Sequence, residues 1–296
     1  MRIFSYRTLS KEFQGVLYIW DVDKTYLNTN FESLKGLFKI MFEEAVDKVT
    51  IAGARELIIE LRKGAETQIG IHPVYFISAS PVQLRRVLEQ KFLLDGIQHD
   101  GLILKDYRWF WKKYKHFPLK NNFVYKLICL LSHRLTMPPT SQEILFGDDF
   151  EQDDKVYVLY ANILNGTTTE KALKSILKQE EAKPREISDI LQWVKVLQEK
   201  KSAQPVVQKI FIHLIGKKKK ADLLNHGQII ATRNYLQTAA ILYELKKISK
   251  LGFRKVANAF DIKYAPSEWS FRKSLEDLKE RKLITEVTYD ELSNWK

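Results

Sequence analysis

The stretch Gly15-Val16-Leu17-Tyr18-Ile19-Trp20-Asp21-Val22-Asp23-Lys24-Thr25 is an unbroken apolar run that ends in two aspartates one residue apart and a threonine. Apolar residues at every position from Val16 to Trp20, not at alternate ones, predict a strand buried on both faces, as in parallel sheets between helices. A strand of that kind ending in Asp-x-Asp delivers carboxylates to the carboxyl edge of the sheet, where open α/β sheets bind ligands. Side chains two apart on an extended chain point to one side, so Asp21 and Asp23 can share one metal ion or one phosphate. The plain alternative is a loop start in which Asp23 caps a turn.

Working outward, apolar spacing predicts a helix over 33–48, with Leu34, Leu37, Phe38, Met41, Phe42 and Ala45 on one face, and a second over Ala54–Lys63. The run Val74–Ile77 reads as a strand ending at Ser78. Ser80 suits the N-cap and Pro81 the first position of a helix that continues through Lys91. Gly101–Leu104 reads as a short strand, Asn122–His133 as a helix, and Ile144–Phe146 as a strand running into Gly147-Asp148-Asp149, with a further helix from Asp153 or Asp154. Strands alternating with helices predict an α/β fold, a Rossmann-like doubly wound parallel sheet. From about Glu170 helical periodicity takes over, with expected helices over Glu170–Glu181, Ser188–Lys201, Val206–Ile215, Thr232–Ser249 and Trp269–Lys282. The expected division is a domain over 1–168 and a mostly α-helical extension over 169–296.

The net charge of +12 is unevenly placed. Residues 1–169 hold 22 Lys and Arg against 20 Asp and Glu, and residues 170–296 hold 26 against 16, so the basic character belongs to the second half. A basic surface attracts nucleic acid, anionic lipid or acidic proteins, and charge alone does not choose among them. The run Lys217–Lys220 reads either as a solvated loop or as an anionic-surface contact. The one cysteine, Cys129 in LICLL, rules out a disulfide within the chain and any Cys-based zinc site, and suits core packing. His72, His99, His116, His133, His213 and His226 show no metal-ligand spacing. MRIFSYRTLSKEF lacks the apolar run of a signal peptide and no segment has the length of a membrane span, so the expected location is the cytoplasm.

Four sites fall at element ends: Asp21 with Asp23, Ser78, a basic residue in the 120–126 region, and Asp148 with Asp149 and Asp153. That set has what phosphoryl transfer through an aspartyl-phosphate needs. One carboxylate attacks phosphorus, a second protonates the leaving oxygen, a hydroxyl and a helix N-terminus hold the phosphoryl oxygens, a lysine offsets the negative charge, and further carboxylates hold a hard divalent ion. The order DVDKT, FISASP, Lys, GDDFEQD resembles the haloacid dehalogenase superfamily of phosphatases. More narrowly, it looks like the bacterial and fungal phosphatidate phosphatases of the actin-patch-protein type, with Tyr157 four positions past Asp153. The resemblance covers about residues 14–164.

The resemblance implies a Mg²⁺-dependent phosphomonoesterase acting on phosphatidate or a related lipid phosphate. It assigns Asp21 as nucleophile, Asp23 as general acid/base, Ser78 as a hydrogen-bond donor to the phosphoryl group, and Lys126 as the charge-neutralising lysine, with Lys120 as the other candidate. It implies Mg²⁺ held by Asp21, the Asp23 backbone carbonyl, Asp148 and Asp153. Asp149 stands where the family often has Ser, and Lys24 where relatives carry Asp or Gly. Each residue also has an ordinary reading: Ser78 as a strand-end hydroxyl, Lys126 on a helix surface, Asp153 as a helix N-cap.

Substrate recognition is less sharply written. Tyr107-Arg108-Trp109-Phe110-Trp111-Lys112-Lys113-Tyr114-Lys115-His116-Phe117 interleaves aromatics with cations. That pattern suits a lipid–water interface and also base stacking on single-stranded nucleic acid. The plain alternative is a loop whose aromatics pack onto the domain. Three functions follow: a lipid phosphate phosphatase in peripheral contact with an anionic membrane, a phosphatase of another monoester such as a nucleic-acid end or a small metabolite, or a non-catalytic basic scaffold. Gly252-Phe253-Arg254-Lys255-Val256-Ala257 has the composition of a short DNA-binding helix.

Overall fold

The computed structural model describes residues 7–28, 45, 48–65, 71–115, 122–200, 204–215, 227–264 and 270–294. Its centre is a six-stranded, all-parallel sheet in the order β3-β2-β1-β4-β5-β6. The strands are β1 (Val16–Trp20), β2 (Val74–Pro81), β3 (Gly101–Lys105), β4 (Gln142–Asp148), β5 (Val207–His213) and β6 (Ile229–Thr232). The helices are α1 (Ala54–Lys63), α2 (Arg85–Leu94), α3 (Tyr107–Tyr114), α4 (Asn122–Thr136), α5 (Asp153–Asn165), α6 (Glu170–Gln179), α7 (Pro184–Glu199), α8 (Tyr235–Glu244), α9 (Lys250–Tyr264), α10 (Phe271–Glu280) and α11 (Glu286–Ser293). The doubly wound α/β fold is therefore as the sequence reading has it.

All five residues of β1 are buried, for the reason their composition suggests. Tyr18 and Trp20 face a core made with α1, α2 and α8 to α11, while Leu17 and Ile19 face a second core made with α3 to α7. Helices on both faces of a parallel sheet require this double burial. The order β2-β1-β4 places the ends of β1 and β4 side by side, with Trp20 in register with Phe146 on one side and Phe76 on the other. The Asp-x-Asp end and the Gly-Asp-Asp end thus meet.

Several local expectations are corrected. Ser80 and Pro81 do not open a helix: β2 continues through Pro81, a single 3₁₀ turn covers Val82–Leu84, and α2 follows. The Ser80 hydroxyl bonds Asp23 instead of capping a helix. Residues 107–114 form a helix rather than a loop, because the Asp106 carboxylate accepts from the backbone N–H groups of Arg108 and Trp109 at 3.0 and 3.1 Å. Val206–Ile215 is not a helix but contains β5, and Thr232 ends β6 before α8 begins at Tyr235. The apolar spacing of VVQKIFIHLI fits either period over so short a run, and pairing with β4 and β6 on both sides selects the strand. Gly252–Ala257 lies within α9 and packs largely onto the protein. Phe253, Val256 and Ala257 are buried, Lys255 pairs with Glu60 at 2.9 Å, and a Cβ on Gly252 would stand 3.1 Å from that Glu60 carboxylate. The expected helix over 33–48 and the Lys217–Lys220 run lie outside, or almost wholly outside, the described residues.

Candidate active site

β1 stops at Trp20, where the Asp21 N–H still donates to Phe146 O at 2.9 Å and holds the next residue against β4. The chain then folds into a tight turn in which the Tyr26 and Leu27 N–H groups both donate to Val22 O at 2.9 Å, with Lys24 at φ 57°. The turn separates the two aspartates. Asp21 joins Asp148 and Asp153, all three buried, with one oxygen from each within 4.8 Å of the others. The Asp23 carboxylate instead accepts from the Ser78 and Ser80 hydroxyls at 3.1 and 2.6 Å. Ser78 is itself placed by the Ser80 N–H, which donates to its Oγ at 2.9 Å.

Gly147 is needed at the end of β4 because a Cβ there would lie 2.7 Å from the Asp153 Cβ and 2.8 Å from the Tyr157 ring. Asp148 Oδ1 accepts from the Phe150 and Glu151 N–H groups at 2.6 and 3.2 Å, and Thr25 donates to its other oxygen at 3.3 Å. The following turn carries Gln152 at φ 64° into α5, whose first residue is Asp153. Asp149 points elsewhere: its carboxylate accepts from Ile215 N–H at 2.8 Å, tying this loop to the end of β5.

Among the described residues, one ammonium enters the acidic group. Lys126 Nζ, in the first half of α4, lies 2.9 Å from Asp21, 2.5 Å from Asp153 and 3.4 Å from Glu151. Burial works against its charge, but Asp153, Asp21 and Glu151 outweigh burial and push its pKa up, so Lys126 stays protonated. Burial also pushes the carboxyl groups up. Asp21 is raised well above the usual carboxylate range, opposed by Lys126. Asp148 is raised to about 7, with Asp153 adding to burial, and Asp153 to about 6, opposed by Lys126. One lysine does not balance this many acids in a low-dielectric site. Asp21 Oδ2 is also buried with no hydrogen-bond partner. An all-oxygen donor set short of positive charge, with a buried unsatisfied oxygen among its members, fits a metal ion.

A family model of the phosphatidate phosphatase APP1 catalytic domain matches residues 16–168, just over half of the chain. The chain belongs to the APP1 phosphatidate phosphatase family. No curated protein and no solved structure matches it. Membership makes it a phosphoric monoester hydrolase of the family whose substrate is a lipid phosphate ester. The match ends before α6, so β5, β6 and α6 to α11 lie beyond the APP1 catalytic model. Among the described residues no helix is long and apolar enough to cross a membrane.

The structure brings together Asp21, Asp148, Asp153 and Lys126, and sets Asp23 with Ser78 beside them. Lys120 is outside the described residues. Sequence reading missed several contributors. Ser80 shares Asp23 with Ser78. Lys105, at the end of β3, is buried, donates to Asn122 Oδ1 at 2.9 Å and is pushed down to about 8 by burial. Asn122 in turn donates to Glu151 at 3.4 Å, next to Lys126. Tyr235, from beyond the APP1 match, donates to Thr25 O at 2.5 Å under the turn that carries Asp23. A lysine closing a buried strand was the available signal for Lys105; Tyr235 had none.

Proposed function

We propose that this APP1 family member hydrolyses phosphatidate, or a closely related lipid phosphate, through an aspartyl-phosphate on Asp21 with Mg²⁺ as cofactor. The carrying observation is the split of the two aspartates: Asp21 lies in a buried acidic group beside Lys126, while Asp23 is held apart on two serine hydroxyls. An Asp21 oxygen attacks phosphorus and the bond from phosphorus to the glycerol oxygen breaks. Asp23, in its protonated form, gives that oxygen a proton, releasing diacylglycerol. Asp23 then takes a proton from water as the water oxygen attacks the phosphoryl group, which leaves as inorganic phosphate and frees Asp21. Ser78 donates to the phosphoryl oxygens and Lys126 offsets their charge. Asp21, Asp148, Asp153 and the Asp23 backbone carbonyl would hold Mg²⁺, which offsets phosphoryl charge when bound.

In this reading residues 1–168 carry the chemistry, and residues 169–296 buttress it through β5, Tyr235 and the helices on the β1 face. The protein works in the cytoplasm in peripheral contact with an anionic membrane. Nucleic-acid ends and small metabolites are the competing substrates.

The test is phosphate release from dispersed phosphatidate, a soluble monoester and a 3′-phosphorylated oligonucleotide, with Mg²⁺ and with EDTA. Phosphatidate is expected to be the best substrate. Release should be abolished by EDTA and reduced about 10³-fold or more by Asp21→Asn, since a covalent nucleophile has no substitute. Full activity in EDTA, or in a folded Asp21→Asn protein, rejects the mechanism. Preference for the oligonucleotide rejects the substrate.

A further inference from the structure

Helix α3 presents two unlike faces. Its inner face is committed to the protein: Phe110 and Tyr114 are buried, and Phe110 lies 5.5 Å from the Tyr125 ring of α4. Lys113 pairs with Asp189 of α7 at 2.5 Å and lies about 5 Å from the Trp109, Tyr114 and Trp193 rings. Its outer face carries Arg108, Trp111 and Lys112, at i, i+3 and i+4, and Lys115 follows the last turn in a left-handed conformation (φ 59°); all four are exposed. Trp111 is 49% exposed. Arg108, Lys112 and Lys115 form no ion pair with any acid among the described residues. No acidic residue occurs between Tyr107 and Lys115.

The helix that bears this face starts at the carboxyl end of the sheet, the end which also bears the acidic site. α3 follows the carboxyl end of β3, through Lys105 and the Asp106 cap. Two other large apolar side chains are exposed at the same end: Phe150 (51%) in the loop after β4 and Ile215 (40%) after β5. Asp149, next to Phe150, accepts from Ile215 N–H and so holds the two loops together.

We propose that the Arg108–Trp111–Lys112 face of α3 and the Lys115 that follows it, with Phe150 and Ile215, form the surface by which the protein docks on an anionic lipid bilayer. This rests on the lipid phosphatase reading above. Trp and Arg or Lys on one helical face match an interface where indole lodges at headgroup depth and cations meet lipid phosphates. Aliphatic Ile215 favours acyl chains over nucleobases, which stack on aromatic rings. Docking by this end turns the acidic site toward the headgroups, so that a phosphatidate headgroup enters without the lipid leaving the bilayer.

The experiment is co-sedimentation of the full chain with phosphatidylcholine vesicles, with and without phosphatidate, at matched salt. Wild type is compared with Trp111→Ala and with Arg108→Glu/Lys112→Glu. The wild type should prefer the phosphatidate vesicles. The double reversal should lower partitioning by about tenfold or more, since each cation near an anionic surface contributes about fivefold, and Trp111→Ala should lower it severalfold. Both variants should keep the wild-type melting temperature and the wild-type rate on a soluble short-chain phosphatidate, while losing rate on vesicles. Variants that sediment like wild type overturn the proposal. So does a wild type that ignores anionic vesicles but binds a single-stranded oligonucleotide in a way these substitutions weaken. A wild type with no activity on soluble phosphatidate rejects the lipid phosphatase reading, and the sedimentation result still separates the two.

Discussion

Gly147 is a clear instance of a residue chosen by its neighbours. The bend from β4 into the acidic loop brings Asp153 and Tyr157 within 2.6 to 2.8 Å of the position a Cβ would take. Asp153 cannot yield, since it is held by Lys126 and lies 3.4 Å from Asp148 N–H. Gly147→Ala is expected to destabilise the fold by about 1–3 kcal/mol through overpacking, measured by urea denaturation, and to displace Asp153 enough to reduce phosphatase activity. Wild-type stability with wild-type activity would show that the loop relaxes freely. Much of this scale was legible in the chain. Asp21, Asp23, Ser78, Asp148 and Asp153 were each marked by residue type and by position at the end of a predicted element, while Lys126 was implied by the family resemblance, with Lys120 as the other candidate. Ser80 was assigned to the wrong partner, because a serine before a proline looks the same whether its hydroxyl faces a helix N-terminus or a carboxylate across the site.

At the scale of elements, the strand β5 deserves the closest test. It is an interior strand, paired with β4 along Glu143–Asp148 and with β6 along Ile229–Thr232. Its amides from Lys209 to Ile212 are therefore expected in the slowest-exchanging class by hydrogen exchange, together with those of β1 and β4, since interior strands open only on global unfolding. Exchange as fast as that of the flanking loops would contradict the six-stranded sheet. The helix expected at Val206–Ile215 shows where local pattern fails: ten residues with apolar positions at both periods leave the decision to neighbouring backbone. Helix α3 shows the opposite: Asp106 is a cap written in the sequence itself, and its bonds to the Arg108 and Trp109 N–H groups start the helix with no help from distant segments.

Across the whole molecule, the chain beyond the APP1 match is part of the structural support of the site. Phe211 of β5 stacks on Phe146 at 5.2 Å, Phe146 stacks on Trp20 at 4.0 Å, and Tyr235 of α8 lies 5.8 Å from Trp20 while bonding Thr25 O. Removing residues 169–296 would uncover β4 as an edge and strip α8 to α11 from the core on the β1 face. The fragment 1–168 is expected to lack a cooperative melting transition and sharp near-ultraviolet circular dichroism. A cooperative transition in the isolated fragment would show that the first half folds alone.

The sequence by itself determined the class of fold, the strand that anchors it and the acidic side chains that gather at its end, because those depend on local apolar pattern and on charged residues at element ends. Tertiary structure decided the rest. It separated Asp21 from Asp23 through a turn closed on Val22 O, made β5 a strand by giving it partners on both sides, and placed Tyr235 under the Asp23 turn from over two hundred residues away. The last two are contacts between segments distant in sequence, and no local pattern carries the free energy of a neighbour that has yet to arrive.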